Sequence, residues 1–105
     1  MRRGNLSSWV VKMPYYVYLT TNRNNMAIYA GMTNDLKRRI AQHKLKVVRG
    51  FTKRFHVDRL VFYEIFDEVE EAIKREKKIK SGSRQKKIDL IRRMNFRWED
   101  LTENL

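Results

Sequence analysis

The most apolar run in the chain, Leu60-Val61-Phe62-Tyr63-Glu64-Ile65-Phe66, is only seven residues long. That length constrains the fold more than any other feature. A short run rich in aromatic and β-branched residues reads as a strand, here a central one. A strand needs partners, and two other segments supply them. Tyr15 to Thr20 (YYVYLT) and Met26 to Gly31 (MAIYAG) are joined by Thr21-Asn22-Arg23-Asn24-Asn25, a stretch of turn composition that predicts a hairpin. Alternation puts Tyr16 and Tyr18 on one face of the first strand, with Tyr15, Val17 and Leu19 on the other. In the second strand Tyr29 faces away from Ile28 and Ala30.

Helical spacing fills the intervals. A helix capped by Thr33 or Asn34 is expected to run to about Val48, with an apolar stripe of Leu36, Ile40 and Val47 and His43 at its edge. Arg39 and His43, four residues apart, share a face of it. Arg49 to Asp58 reads as a basic loop around Gly50. Asp67-Glu68-Val69-Glu70 resembles a capping box opening a second helix that reaches about Lys80. Ser81-Gly82-Ser83 stops that helix and caps a third, Arg84 to Met94. Phe96, Trp98 and Leu101 are expected to fold the tail back onto the body. The order strand, strand, helix, strand, helix, helix predicts an α/β domain, a small three-stranded sheet covered by helices. Residues 1–12 read as a loose extension, leaving 13–105 as a single domain.

Twenty-four Lys and Arg against twelve Asp and Glu give a formal net charge of +12 on 105 residues. Such a field favours polyanions, nucleic acid above all. Anionic membrane fits less well, because no strongly apolar helix face accompanies the charge. No apolar run approaches the ~20 residues of a membrane span, and Trp9-Val10-Val11 is too short for a signal-peptide core, so a cytoplasmic protein is expected. The absence of cysteine excludes disulfides, zinc-thiolate sites and thiol catalysis. With only His43 and His56 present, a multi-histidine metal centre is not expected.

Glu76 stands out in the second helix. Val69, Ala72, Ile73 and Ile79 mark the buried face of that helix, and Glu76 falls near its middle. An ionised carboxylate there needs a partner. Two readings are open: an edge-of-core glutamate paired with a Lys or Arg, or a ligand for a hard divalent cation. Residues 74–93 carry ten basic side chains and only Glu76 and Asp89 as acids. A solvated helix face explains such a run, and so does a phosphate-handling surface beside one carboxylate.

Tyr16-Val17-Tyr18 and Tyr29-Ala30-Gly31, on the two paired strands, resemble the two halves of the GIY-YIG nuclease signature. The similarity continues through Thr33-Asn34-Asp35-Leu36, Arg38-Arg39-Ile40 and His43, then through Glu70-Glu71-Ala72, Arg75-Glu76, Ile79-Lys80, Ser83-Arg84 and Lys86-Lys87. It spans roughly Tyr15 to Leu101 and is closest in kind to the small stand-alone bacterial GIY-YIG proteins. Tyr16 stands where the first motif carries glycine and Ala30 where the second carries isoleucine. For the asparagine that many active relatives carry after the glutamate, Asn95 is the candidate.

The resemblance implies a three-stranded antiparallel sheet flanked by helices and phosphodiester hydrolysis with one Mg²⁺ or Mn²⁺. It implies catalytic roles for Tyr18, Tyr29, Arg39, His43 and Glu76. Tyr29 would take a proton from the attacking water, which a tyrosine does at neutral pH only beside cations; Arg39 with Lys37 or Lys53 are the candidates. Tyr18 would help orient the water, Arg39 would hold the phosphate, and Glu76 would bind the metal. Arg38 is the adjacent alternative to Arg39, and His43 is either an orienting group or a satisfied edge-of-core residue. Lys37, Arg38, Lys53, Arg54, Lys77, Lys80, Arg84 and Lys87 are the candidate nucleic-acid contacts, with DNA the expected partner. A metal-dependent DNA endonuclease is thus the leading expectation. A non-cleaving nucleic-acid-binding module and a protein–protein adaptor are its alternatives.

Overall fold

The computed structural model describes residues 13–45 and 56–105. The expected extension at 1–12, together with Val47, Lys53 and Arg54, lies outside them. Three strands, β1 (Tyr15–Thr21), β2 (Ile28–Thr33) and β3 (Arg59–Phe66), form one antiparallel sheet in the order β2-β1-β3. Among the described residues, three helices, α1 (Leu36–Lys44), α2 (Val69–Ser81) and α3 (Arg84–Met94), and a 3-10 turn at Leu101–Asn104 complete the expected α/β order.

The central strand is β1, not the more apolar β3. Apolarity does not set pairing order: β1 is buried from Val17 to Thr21, whereas β3 buries only Leu60, Val61 and Phe62 and pairs along one edge. A register shift between Leu19 and Thr20 gives β3 one extra residue there. The bulge sends both Val61 and Phe62 to one face and returns Leu60 to the other.

The sheet separates two apolar clusters, as the alternation of β1 predicts. Val17 and Leu19 join Ala72 and Ile79 of α2 and Ile91 of α3 on one face. Tyr18 joins Leu36 and Ile40 of α1, with Leu60 and Leu101, on the other.

Asn25 turns the β1–β2 hairpin with φ 59°, a conformation asparagine tolerates. The Asn22 side chain accepts from the main-chain N–H groups of Met26 and Ala27. This turn fixes the register that sets Tyr18 opposite Gly31 and Thr20 opposite Tyr29.

The helix caps depart from the expected ones in two places. Asp35, rather than Thr33 or Asn34, caps α1 by accepting from the Arg38 N–H at 3.1 Å. Glu68 precedes α2 but makes no side-chain cap bond, so no capping box forms there. Ser83 caps α3 as expected, accepting from Lys86 N–H. In the tail, Leu101 is buried and Trp98 packs on the Val17 cluster. Phe96 stays exposed, with the Arg92 guanidinium 4.9 Å from its ring centroid.

Candidate active site

Three of the expected residues meet as rings on the Tyr18 face of the sheet. Tyr18 from β1, Tyr29 from β2 and His43 from the last turn of α1 lie with centroids 5.6–6.3 Å apart. The Tyr18 hydroxyl is 3.0 Å from His43 Nε2, and both side chains are buried. Tyr29 is only partly buried, the most open of the three.

Gly31 makes room for this arrangement. Tyr18 pairs across the sheet with Gly31, and a Cβ at that position would lie 2.5 Å from both Oη and Cζ of the phenol. The glycine of the second motif is therefore a packing requirement of the first motif's tyrosine.

Burial holds the two central groups in their neutral forms. Desolvation pushes the Tyr18 phenol well above the ordinary tyrosine range, with Tyr29 and Glu76 adding to the shift and Arg39 opposing it. Desolvation, helped by the Arg39 charge, lowers His43 to about 4 against the opposing effects of Asp58 and a main-chain contact from Val57. Among the described residues His43 Nδ1 has no partner within hydrogen-bond geometry. A protonated phenol beside a neutral imidazole at 3.0 Å is a hydrogen bond without net charge.

Arg39 and Glu76 are tied to the trio by charge rather than by contact. Arg39, partly buried on α1, acts on both Tyr18 and His43, and Glu76 of α2 acts on Tyr18. Arg38 is exposed, as its phase on α1 predicts. The Glu76 side chain retains 21% exposure, and its Oε2 lies 3.3 Å from Lys80 Nζ one turn on. It is neither a fully buried charge nor a bare one.

Among the described residues, no three His, Asp or Glu side chains gather into a metal cage. One partly exposed carboxylate nonetheless fits Mg²⁺, which keeps several waters and shares its coordination with substrate phosphate.

Several of the expected nucleic-acid contacts have internal partners. Lys87 Nζ donates to the Gly82 carbonyl at 2.8 Å, capping the end of α2. Arg84 donates to the Asn25 carbonyl in the hairpin turn, and Lys80 pairs with Glu76. Lys37 and Lys77 are exposed. Asn95 is buried, with its amide donating to the Val61 and Glu99 carbonyls and accepting from Glu99 N–H. Asp58 and Tyr63 were not foreseen. Asp58 acts on His43 through its charge, and Tyr63 packs edge-on against Tyr16 with ring centroids 6.5 Å apart. The cross-strand alternation of β3 was the one signal for Tyr63.

The GIY-YIG catalytic domain family matches residues 14–89. A UPF0213 protein of Staphylococcus saprophyticus is 38% identical over 77 residues, covering 73% of this chain and 93% of the relative. One from Haloquadratum walsbyi is 34% identical over 76 residues, covering 72% and 84%. The solution NMR structure of a UPF0213 protein from Bacillus halodurans superposes with a TM-score of 0.55 at 32% identity, covering 87% of this chain and 96% of that one. Sequence, fold and the paired tyrosines agree, and the chain belongs to the GIY-YIG family.

Proposed function

We propose that the domain hydrolyses phosphodiester bonds of DNA, with Glu76 holding Mg²⁺ or Mn²⁺. The observation that carries this reading is the convergence on Tyr18. Its phenol is bonded to His43, packed against Tyr29, and within the electrostatic reach of both Arg39 and Glu76.

The environments separate the roles of the two tyrosines. Tyr18, buried and kept protonated, serves as a fixed donor that orients its neighbours. Tyr29, partly exposed, takes the proton of the attacking water. His43 is neutral and locks the Tyr18 hydroxyl in place. Arg39 engages the phosphate and balances the charge that develops on its oxygens. The bound cation would polarise the phosphoryl group and stabilise the leaving oxygen.

Three variants test the assignment. Glu76→Ala is expected to abolish metal-dependent cleavage while leaving DNA affinity intact or stronger. Arg39→Ala should slow cleavage by ~10²–10³-fold, the usual scale for one transition-state contact. Tyr29→Phe should bind normally and lose most of the rate. Cleavage surviving in all three would overturn the reading.

One observation favours a second reading, a binding module without catalysis. The Lys80 ammonium already neutralises Glu76, which then needs no cation. Calorimetric titration of the parent with Mn²⁺ separates the two: heat of binding that vanishes in Glu76→Ala supports the nuclease, and none supports the module.

A further inference from the structure

A cleft of about 260 Å³ opens between α2 and α3. Its floor is apolar, formed by Ile79 and Leu90, both part of the cluster on the face of the sheet away from Tyr18. At ~100° per residue, Arg75 and Lys78 sit some 100° and 160° around α2 from Glu76, and Ile79 some 60°. The cleft therefore flanks the candidate active site without sharing its residues.

Its rim is cationic. Lys78, Lys86 and Arg93 are exposed, and their side chains make no hydrogen bond or ion pair among the described residues. Two further cations are held in place: Arg75 by a bidentate bond to Glu64 (2.7 and 3.1 Å) and Lys87 by the Gly82 carbonyl. The one acid on the rim, Asp89, accepts from Gln85 at 2.9 Å. The charge also opposes the helix dipole. The first turn of α3 holds no acid, although Lys86 and Lys87 lie at its positive end. An anion bound at this helix start would meet both the exposed cations and the positive end of the helix dipole.

We propose that this cleft receives one unpaired nucleotide of a nucleic-acid strand, its base on the Ile79–Leu90 floor and its phosphates against Lys78, Lys86 and Arg93. Shape and charge favour this ligand together. A bare phosphate leaves the floor empty, and an apolar molecule leaves the cations unmatched. The inference rests on the proposed handling of nucleic acid and adds a second point of contact, flanking the site of Glu76.

The test compares the parent with the triple variant Lys78→Gln, Lys86→Gln and Arg93→Gln by fluorescence anisotropy. The probes are a single-stranded oligonucleotide and an abasic strand of the same length, over a salt series. All three side chains are exposed, so the fold is retained. Each phosphate contact contributes ~0.7 to the salt slope for single strands. One nucleotide is flanked by two phosphates, so the variant should lose about 1.4 from that slope and ~10-fold or more in affinity at low salt. The abasic strand should bind the parent more weakly than the base-bearing one, with the gap narrowed in the variant. An unchanged salt slope, or equal affinity of the parent for both strands, overturns the proposal. Failure of the parent to bind any DNA would instead overturn the proposed function, and this site with it.

Discussion

Tyr18 and Gly31 face each other across β1 and β2 so closely that a methyl group on Gly31 would lie 2.5 Å from the phenol oxygen. The ring has no free space to enter, since Tyr18 is buried among Leu36, Ile40 and Leu60 and anchored by His43. Gly31→Ala should therefore displace the ring, break the Tyr18–His43 bond and destabilise the domain by about 1–3 kcal/mol, the usual cost of overpacking. Gly82→Ala provides the control, because a Cβ there meets nothing nearer than 3.4 Å. Thermal melts should show a clear loss for the first and little for the second. Equal melting temperatures would mean that the β1–β2 packing yields more easily than these distances allow.

His43 makes stability depend on pH in a definite direction. Its folded pKa of about 4 lies below the ordinary 6.5, chiefly because it is buried, so the unfolded chain binds the proton first. The contribution is complete above about pH 6.5 and is lost as pH falls toward 4. Between pH 7 and pH 5 this amounts to roughly 2 kcal/mol from the one group. His43→Gln should be less stable than the parent at pH 7 yet lose less on acidification. Parallel melting curves for the two proteins across this range would contradict the neutral, buried assignment of His43.

Glu76 and Lys80 form an i,i+4 pair on a partly exposed helix face, a geometry worth only a few tenths of a kcal/mol. The pair therefore contributes little to the fold, and its functional effect is the larger one. Lys80 competes with a divalent cation for the same carboxylate. Lys80→Ala should lower the Mg²⁺ or Mn²⁺ concentration needed for half-maximal cleavage by several-fold, with almost no change in melting temperature. A raised metal requirement would show that Lys80 helps to assemble the site instead.

Local chemistry made much of this structure legible in the sequence. The two-residue alternation of Tyr16, Val17, Tyr18 and Leu19 assigned each side chain to its face, and the Ser83 cap and Met94 end of α3 agree with the reading. What remained hidden depends on contacts distant in sequence. Pairing order made β1 central, although β3 is more apolar. The bulge at Val61 cannot be read from alternation, because it breaks alternation. The site divides in the same way. Tyr18, Tyr29 and His43 were identifiable from their resemblance to a known pattern, but the burial that keeps Tyr18 protonated and His43 neutral comes from three elements packing together. Lys87 had the composition of a phosphate contact, yet it lies within reach of the carbonyl that ends α2.

Asn95 gives the sharpest separation of structure from chemistry. Sequence order made it the candidate for the asparagine that many active relatives carry after the glutamate, but its amide is committed elsewhere. Its nitrogen donates to the Val61 carbonyl at 3.2 Å and to the Glu99 carbonyl at 2.7 Å, and its oxygen accepts from Glu99 N–H at 2.9 Å. It joins the end of α3 to the bulged strand β3 and to the tail carrying Leu101. Asn95→Ala leaves buried main-chain groups without partners, at about 1–3 kcal/mol for such a loss. The variant should melt well below the parent, with a lower denaturant midpoint and an unchanged m-value. Below that transition, however, cleavage per folded molecule and its metal dependence should match the parent. A variant that folds as stably as the parent but cleaves slowly would return Asn95 to the active site.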